Sequence, residues 1–190
     1  MADRVKNVRE KLIRAGIEEI NARGITKFSV RRVAEKCKVS CSAPYKHFKN
    51  KQEFITAIIE FVGEQWYERR QEILERCGDS PRSQLVEVSV GYISFFMEKP
   101  FFRSILLLKD EQLKSLLHKT HWQIFSLSPM LLKEYFDAIG WNEGTLARKK
   151  LLVRAMIFGS IVMFDSGELP YNEQTLEHIR FSIDREFDLP

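Results

Sequence analysis

"VAEKCKVSCSAPYKHFKNK", residues 33–51, holds five lysines, two cysteines, a tyrosine, a histidine and a proline in nineteen positions. Just before and inside it, Val30, Val33, Ala34 and Cys37 recur every three to four residues, so they share one face of a helix that Ser29 can cap. "KVS" (Lys38 to Ser40) breaks this helix, and Ser40 can cap a third, short helix running to about Phe48. Helix, three-residue turn, helix is the pattern that sets a short second helix into the DNA major groove while the first crosses the backbone. Such a motif needs a small residue at the crossing, apolar residues beneath and polar or basic residues outside. Ala34 is the small residue; Val33, Val39, Pro44 and Phe48 are expected to be buried; Cys41, Ser42, Lys46 and His47 are expected to face outward.

Upstream, Val5, Val8, Leu12, Ala15 or Ile17, and Ile20 keep the helical spacing, with Gly24 placed to end the helix after Arg23. This first helix completes a three-helix head. Downstream, Asn50 can cap a long fourth helix that extends towards Cys77 through Phe54, Ile58, Phe61, Val62 and Trp66. "GDSP" (residues 78–81) predicts a fifth helix from near Pro81, Lys99-Pro100 a break, and further stops fall at residues 126–129, at Gly140 and at residues 166–172, where Asn172 can cap the last helix. The expected fold is all-α, about nine helices: a helix-turn-helix head over residues 1–50 on a larger helical bundle over residues 51–190. Only 9 Gly and 6 Pro in 190 residues suit long helices, and no alternating strand pattern or repeat competes.

The charge is divided in the same way. Residues 1–50 carry 13 Lys and Arg against 5 Asp and Glu, a net +8, whereas the remainder carries 17 against 21, a net −4. A basic head on a mildly acidic body is the electrostatic pattern of a nucleic-acid-binding module, although a solvated basic face without a partner gives the same count. Three scattered cysteines (Cys37, Cys41, Cys77) and a charged N-terminus predict a reduced, cytoplasmic protein. "AMIFGSIVMF" (residues 155–164), the longest nearly apolar run, is about half of what a membrane span needs, so none is expected.

Ser29-Val30, Val33-Ala34, Val39-Ser40, Tyr45, His47-Phe48, Lys51 and Phe54, in this order and spacing, resemble the N-terminal signature of TetR-family transcriptional regulators. The detailed resemblance covers about residues 5–60; the rest is similar only in layout. It implies that Tyr45, His47 and Lys51 contact phosphates, that Cys41, Ser42 and Lys46 lie towards base edges, and that Ser29 and Ser40 complete the DNA-binding set. The chemistry agrees: a phenol, an imidazole and an ammonium near helix ends can donate to phosphate oxygens, and Lys46 can donate to guanine. For Tyr45 a half-buried core position is the alternative. Two residues depart from the family pattern. Lys38 stands where the turn usually has glycine, its charge then free to face phosphate, and Pro44 falls in the fourth position of the short helix, where it forgoes a hydrogen bond to Ser40.

The body is dense in aromatic residues, most of them core by default. The resemblance implies a bundle that holds an apolar effector and loses DNA affinity when it does; Phe61, Tyr92, Phe96, Phe102, Arg103, Trp122 and Phe125 are the candidates. Arg103 and Arg154, amid apolar neighbours, pair either a ligand carboxylate or an internal acid. His118 and His121 are one turn apart but lack a third ligand of fitting spacing, so no metal or cofactor is expected. "LLVRAMIFGSIVMF" (residues 151–164) is apolar nearly all round; with the last helix it suggests a homodimer interface through Leu152, Ala155, Met156, Gly159, Val162, Met163, Ile179 and Ile183, against a buried core helix in a monomer.

The function that follows is a sequence-specific DNA-binding regulator, a repressor released from a palindromic operator by a small hydrophobic or amphipathic molecule. The alternative is a DNA-binding scaffold whose body docks a protein partner. No "GxSxG", "HExxH" or glycine-rich phosphate loop is present, so an enzyme is not expected. Cys41, beside Lys38 and Lys46, is either a small contact residue or an oxidisable thiol.

Overall fold

Helices account for all the regular structure among the described residues of the computed structural model, which are 2–99 and 142–188 together with Tyr135, Asp137, Ile139 and Gly140. In order they are α1 (Ala2–Arg23), a 3-10 turn (Ile25–Lys27), α2 (Val30–Cys37), a second 3-10 turn (Pro44–Lys46), α3 (Lys51–Cys77), α4 (Pro81–Glu98), α5 (Glu143–Ser166) and α6 (Glu173–Glu186). The starts follow the capping residues: Ser29, Ser80, Asn142 and Asn172 each accept a backbone N–H from the first turn of the helix they open. None of these helices is long and apolar enough to cross a membrane.

Two expectations are corrected here. The described residues contain six α-helices, not about nine. One cause lies in the segment expected to form a third helix from Ser40 to Phe48, which folds instead as consecutive turns around the 3-10 turn at Pro44. An α-helix would need the residue-44 N–H to reach the Ser40 carbonyl, and proline has none. The Ser40 carbonyl takes the Ala43 N–H at 2.9 Å, the tighter i to i+3 spacing, and Ser42 takes that of Tyr45 at 3.2 Å. Between residues 100 and 140 only Tyr135, Asp137 and Ile139, all helical, and Gly140 are described; the helices expected there otherwise lie outside the described residues.

The described chain divides into two units, residues 2–65 and, beyond them, residues 66–99 with 135–188. In the first, Leu12, Ile13, Ile20, Phe28, Val33, Ala34, Phe48, Phe54 and Ile58 are each at most 3% exposed. Phe48 stacks on Phe54 with centroids 4.1 Å apart, and Phe28 meets Phe54 edge-on at 5.4 Å. Each such buried ring contributes about 1.5–3 kcal/mol. Gly16 lets α1 lie against α3, because a Cβ there would come within 2.6 Å of Ile58 Cδ1.

The second unit packs α4 against α5 and α6 together with the latter half of α3. Trp66, Tyr92, Phe95 and Phe96 form one aromatic cluster, with Trp66 edge-on to Tyr92 at 5.2 Å and Phe96 4.6 Å beyond. Arg82 Nε donates to Asp184 and its Nη1 to Asp188, both at 2.6 Å, and Arg180 pairs Glu87 at 2.7 Å, so charge as well as apolar area ties α6 to α4. Lys149, fully buried, pairs Glu186 at 3.0 Å and donates to its carbonyl.

Candidate nucleic-acid interface

The turn between α2 and the following segment closes through two bonds. Lys38 N–H donates to Glu35 and Val39 N–H to Ala34, each at 3.0 Å, which satisfies the last carbonyls of α2 and sends the chain away from the helix axis. This closure requires a left-handed residue, and Lys38 supplies it with φ 56° and ψ 42°. Ala34, with no exposed surface, lets α2 pack closely on α1. Lys11 Nζ donates to the Cys37 carbonyl at 3.2 Å, and Arg32 bridges the Glu19 carboxylate and the Lys27 carbonyl, so α1, α2 and the first 3-10 turn are held together by polar contacts.

Pro44 and Phe48 are buried and anchor the next segment from below, while Cys41, Ser42, Tyr45 and Lys46 are exposed. Tyr45 is 57% exposed, which removes the core alternative for its ring. Ser40 is exposed, its Oγ 3.1 Å from that of Ser42. His47 is half-buried, its ring tilted against Phe48, and Val39, expected in the core, is also half-buried. Ser29 is half-buried and its hydroxyl accepts the Arg32 N–H at 3.4 Å as the α2 cap. Lys51 is the first residue of α3 and exposed; Asn50 Oδ1 accepts the Glu53 N–H at 2.8 Å, and Glu53 Oε2 accepts that of Lys49 at 2.9 Å.

Charge pairing separates two groups of cations. Every carboxylate between residues 7 and 53 is engaged: Glu10 with Arg14, Glu18 with Lys36, Glu19 with Arg32 and Arg23, Glu35 with Arg31, and Glu53 with the Lys49 amide. Lys38, Lys46, Lys49 and Lys51 are exposed and form no ion pair among the described residues. The turn, the exposed segment and the start of α3 therefore carry four cations without an ion pair, while Arg9 and Lys11 on α1 and Lys27 in the first 3-10 turn are exposed and likewise form none among the described residues. Lys49 was not singled out from the sequence; its place beside the Asn50 cap is the signal that points to it. All three cysteines are free thiols, with Cys41 exposed and Cys37 buried, where desolvation pushes its thiol pKa up.

Of the effector candidates, Tyr92 and Phe96 are buried in the second unit's aromatic cluster, and Phe61 is half-buried in the first unit beneath the Arg14 guanidinium at 5.2 Å. Phe102, Arg103, Trp122 and Phe125, like His118 and His121, lie outside the described residues. Among the described residues no group of three or more His, Cys, Asp or Glu could hold a metal. Arg70, not considered from the sequence, is half-buried on α3; its Nε is buried without an acceptor, and desolvation lowers its pKa. On α5, Val153, Ile157, Ile161 and Phe164 face the core, while Leu151, Leu152, Ala155 and Val162 are exposed and Met156, Gly159 and Met163 half-buried. Ile179 on α6 is half-buried, Ile183 is fully buried within its own chain, and the neighbouring Phe181 is 65% exposed.

No curated protein sequence matches the chain. The family model described as bacterial regulatory proteins, tetR family, matches residues 12–58, which span α2, the turn, the exposed segment and the start of α3. Among solved structures, the transcriptional regulator FadR from Bacillus subtilis in complex with stearoyl-CoA is similar at 16% identity, over 93% of this chain and 95% of that one, with a TM-score of 0.73. A transcriptional regulator from Rhodococcus sp. RHA1 is similar at 19% identity over 95% and 94%, TM-score 0.68. A single-substitution variant of TetR from Acinetobacter baumannii AYE in complex with minocycline is similar at 18% identity over 93% and 92%, TM-score 0.56. The head thus matches the tetR-family model over residues 12–58, and along nearly its whole length the chain is similar in fold to these solved regulators.

Proposed function

We propose that this protein is a homodimeric, cytoplasmic repressor that binds a palindromic operator and is released by a small hydrophobic or amphipathic molecule. Residues 1–50 are the DNA-binding domain and residues 51–190 the effector-binding and dimerisation domain. The observation that carries the reading is the run of unpaired cations after α2: Arg31, Arg32 and Lys36 of α2 are each paired with a carboxylate, whereas Lys38, Lys46, Lys49 and Lys51 are exposed and are not. Ammonium groups with no carboxylate partner are available to phosphates, which supply most of the affinity for duplex DNA. Tyr45, His47 and Lys51 then hold the backbone, and Cys41, Ser42 and Lys46 meet base edges, with Ser29 and Ser40 at the ends of the reading surface.

The effector reading draws on the two ligand-bound structures of similar fold, one holding stearoyl-CoA and the other minocycline. In this chain Tyr92 and Phe96 supply apolar contact, and the unmet Arg70 Nε favours a ligand with an anionic group. The dimer reading rests on Leu152, Ala155 and Val162 at the surface of α5 with Met156, Gly159, Met163 and Ile179 beside them; Phe181 joins this face in place of the buried Ile183.

Selection of binding sites from a randomised duplex pool at near-physiological salt tests the function. Enrichment of a two-fold symmetric site is the expected result, and that duplex then serves to screen anionic amphiphiles for release. Binding that depends on salt but not on sequence would overturn it and favour a scaffold whose body docks a protein.

A further inference from the structure

Five described residues of this chain adopt a left-handed backbone, and four of them (Gly24, Gly78, Gly140 and Gly167) are glycine. The fifth is Lys38, in the turn of the helix-turn-helix. Its conformation is dictated by the two bonds that close α2, so the turn would form at least as well with glycine, which has no Cβ to crowd the following carbonyl. Nothing within the head accounts for the side chain. It is exposed, makes no hydrogen bond or ion pair among the described residues, and Glu35, three residues back on α2, is occupied by Arg31 at 2.9 Å. Backbone strain kept at one position without an internal contact to hold it is a sign of an external one.

We propose that Lys38 is a DNA-phosphate contact, placed at the turn in addition to the residues of the exposed segment and the start of α3, and retained there at the expense of the head's stability. The position fits the role: it lies between α2, which crosses the DNA backbone in this motif, and the exposed Ser40 and Cys41. A phosphate contact strengthens binding to every duplex alike and carries no base preference. The assignment rests on the DNA-binding reading above.

The test compares wild type with Lys38→Gly, Lys38→Asn and Lys38→Arg, measuring thermal stability of the free protein and affinity for the selected operator and for an unrelated duplex across a salt series. Lys38→Gly is expected to raise the melting temperature by about 2–4 °C. The same variant is expected to bind both duplexes more weakly, by about three- to ten-fold at roughly 150 mM salt, with the salt slope reduced by about one. Lys38→Asn, whose side chain tolerates the left-handed conformation, should lose the same affinity, so that any loosening of the turn by glycine is not mistaken for the effect; Lys38→Arg should keep the slope. Unchanged affinity and slope in both neutral variants, or a loss confined to one duplex, would overturn the assignment. Wild type that binds no duplex would overturn the DNA-binding reading itself, a result distinct from wild-type binding that the Lys38 variants leave untouched.

Discussion

Phe48 is the residue on which the exposed segment after α2 hangs: it is 2% exposed, stacks on Phe54, and is flanked in sequence by exposed or half-exposed residues on both sides. Phe48→Ala should cost about 3–5 kcal/mol of stability, read from the urea midpoint at unchanged slope, because the ring leaves a cavity that Pro44 and Phe54 cannot fill. The lysines make a complementary prediction on affinity. Lys51→Ala should weaken binding to all duplexes about equally, while Lys46→Ala should change the base preferred at one position of the selected site. Equal and sequence-independent losses in the two variants would show that both are phosphate contacts. Residue by residue, the sequence told polar from apolar but not how far a ring is covered: Tyr45 and Phe48 are both aromatic and three residues apart, and only packing against Phe54 separates a buried ring from one that is 57% exposed.

Single elements follow local rules where local interactions dominate. The caps Ser29, Asn50 and Asn172 could be read from the sequence because a short polar side chain before an apolar repeat satisfies an otherwise unpaired N–H. Asn142, the cap of α5, is the same kind of residue; Asn142→Ala should lower stability by about 1 kcal/mol without changing the fold, as judged by thermal denaturation followed by circular dichroism. The segment after Ser40 shows where the local reading failed, since one proline decided between α-helical and tighter turns. The attachment of α6 is electrostatic as well as apolar. Hydrogen bonding to Arg82 holds the Asp188 carboxyl below its ordinary pKa, so the pair stabilises the fold above the usual aspartate range and its contribution is lost as pH falls through the lowered folded value. Acid titration of stability below about pH 4 should therefore be steeper in wild type than in Asp188→Asn. Identical acid profiles would mean that Asp188 contributes nothing.

For the molecule as a whole, the proposed dimer makes the largest prediction. Leu152→Glu combined with Val162→Arg puts charge on the exposed face of α5 while leaving Val153, Ile157 and Ile161 in the core. Sedimentation should change from dimer to monomer at micromolar concentration, the helical circular dichroism should persist, and binding to the two-fold symmetric site should fall to the level of a single half-site. A wild-type protein that sediments as a monomer would remove the dimer from the proposal.

The helical class, the helix-turn-helix with its family signature, and the excess of positive charge in the first fifty residues could all be read from the chain before any packing was known. Each is encoded locally, by side-chain periodicity, by capping and turn residues, or by simple composition. The folded arrangement was needed to separate neutralised lysines from unpaired ones, to show that Ile183 is consumed by its own core while Phe181 is left outside, and to leave a buried Arg70 Nε without an acceptor. Those outcomes depend on residues distant in the chain meeting across helix faces, as Arg32 and Glu19 do between α2 and α1, and no periodicity within a single helix specifies such a meeting.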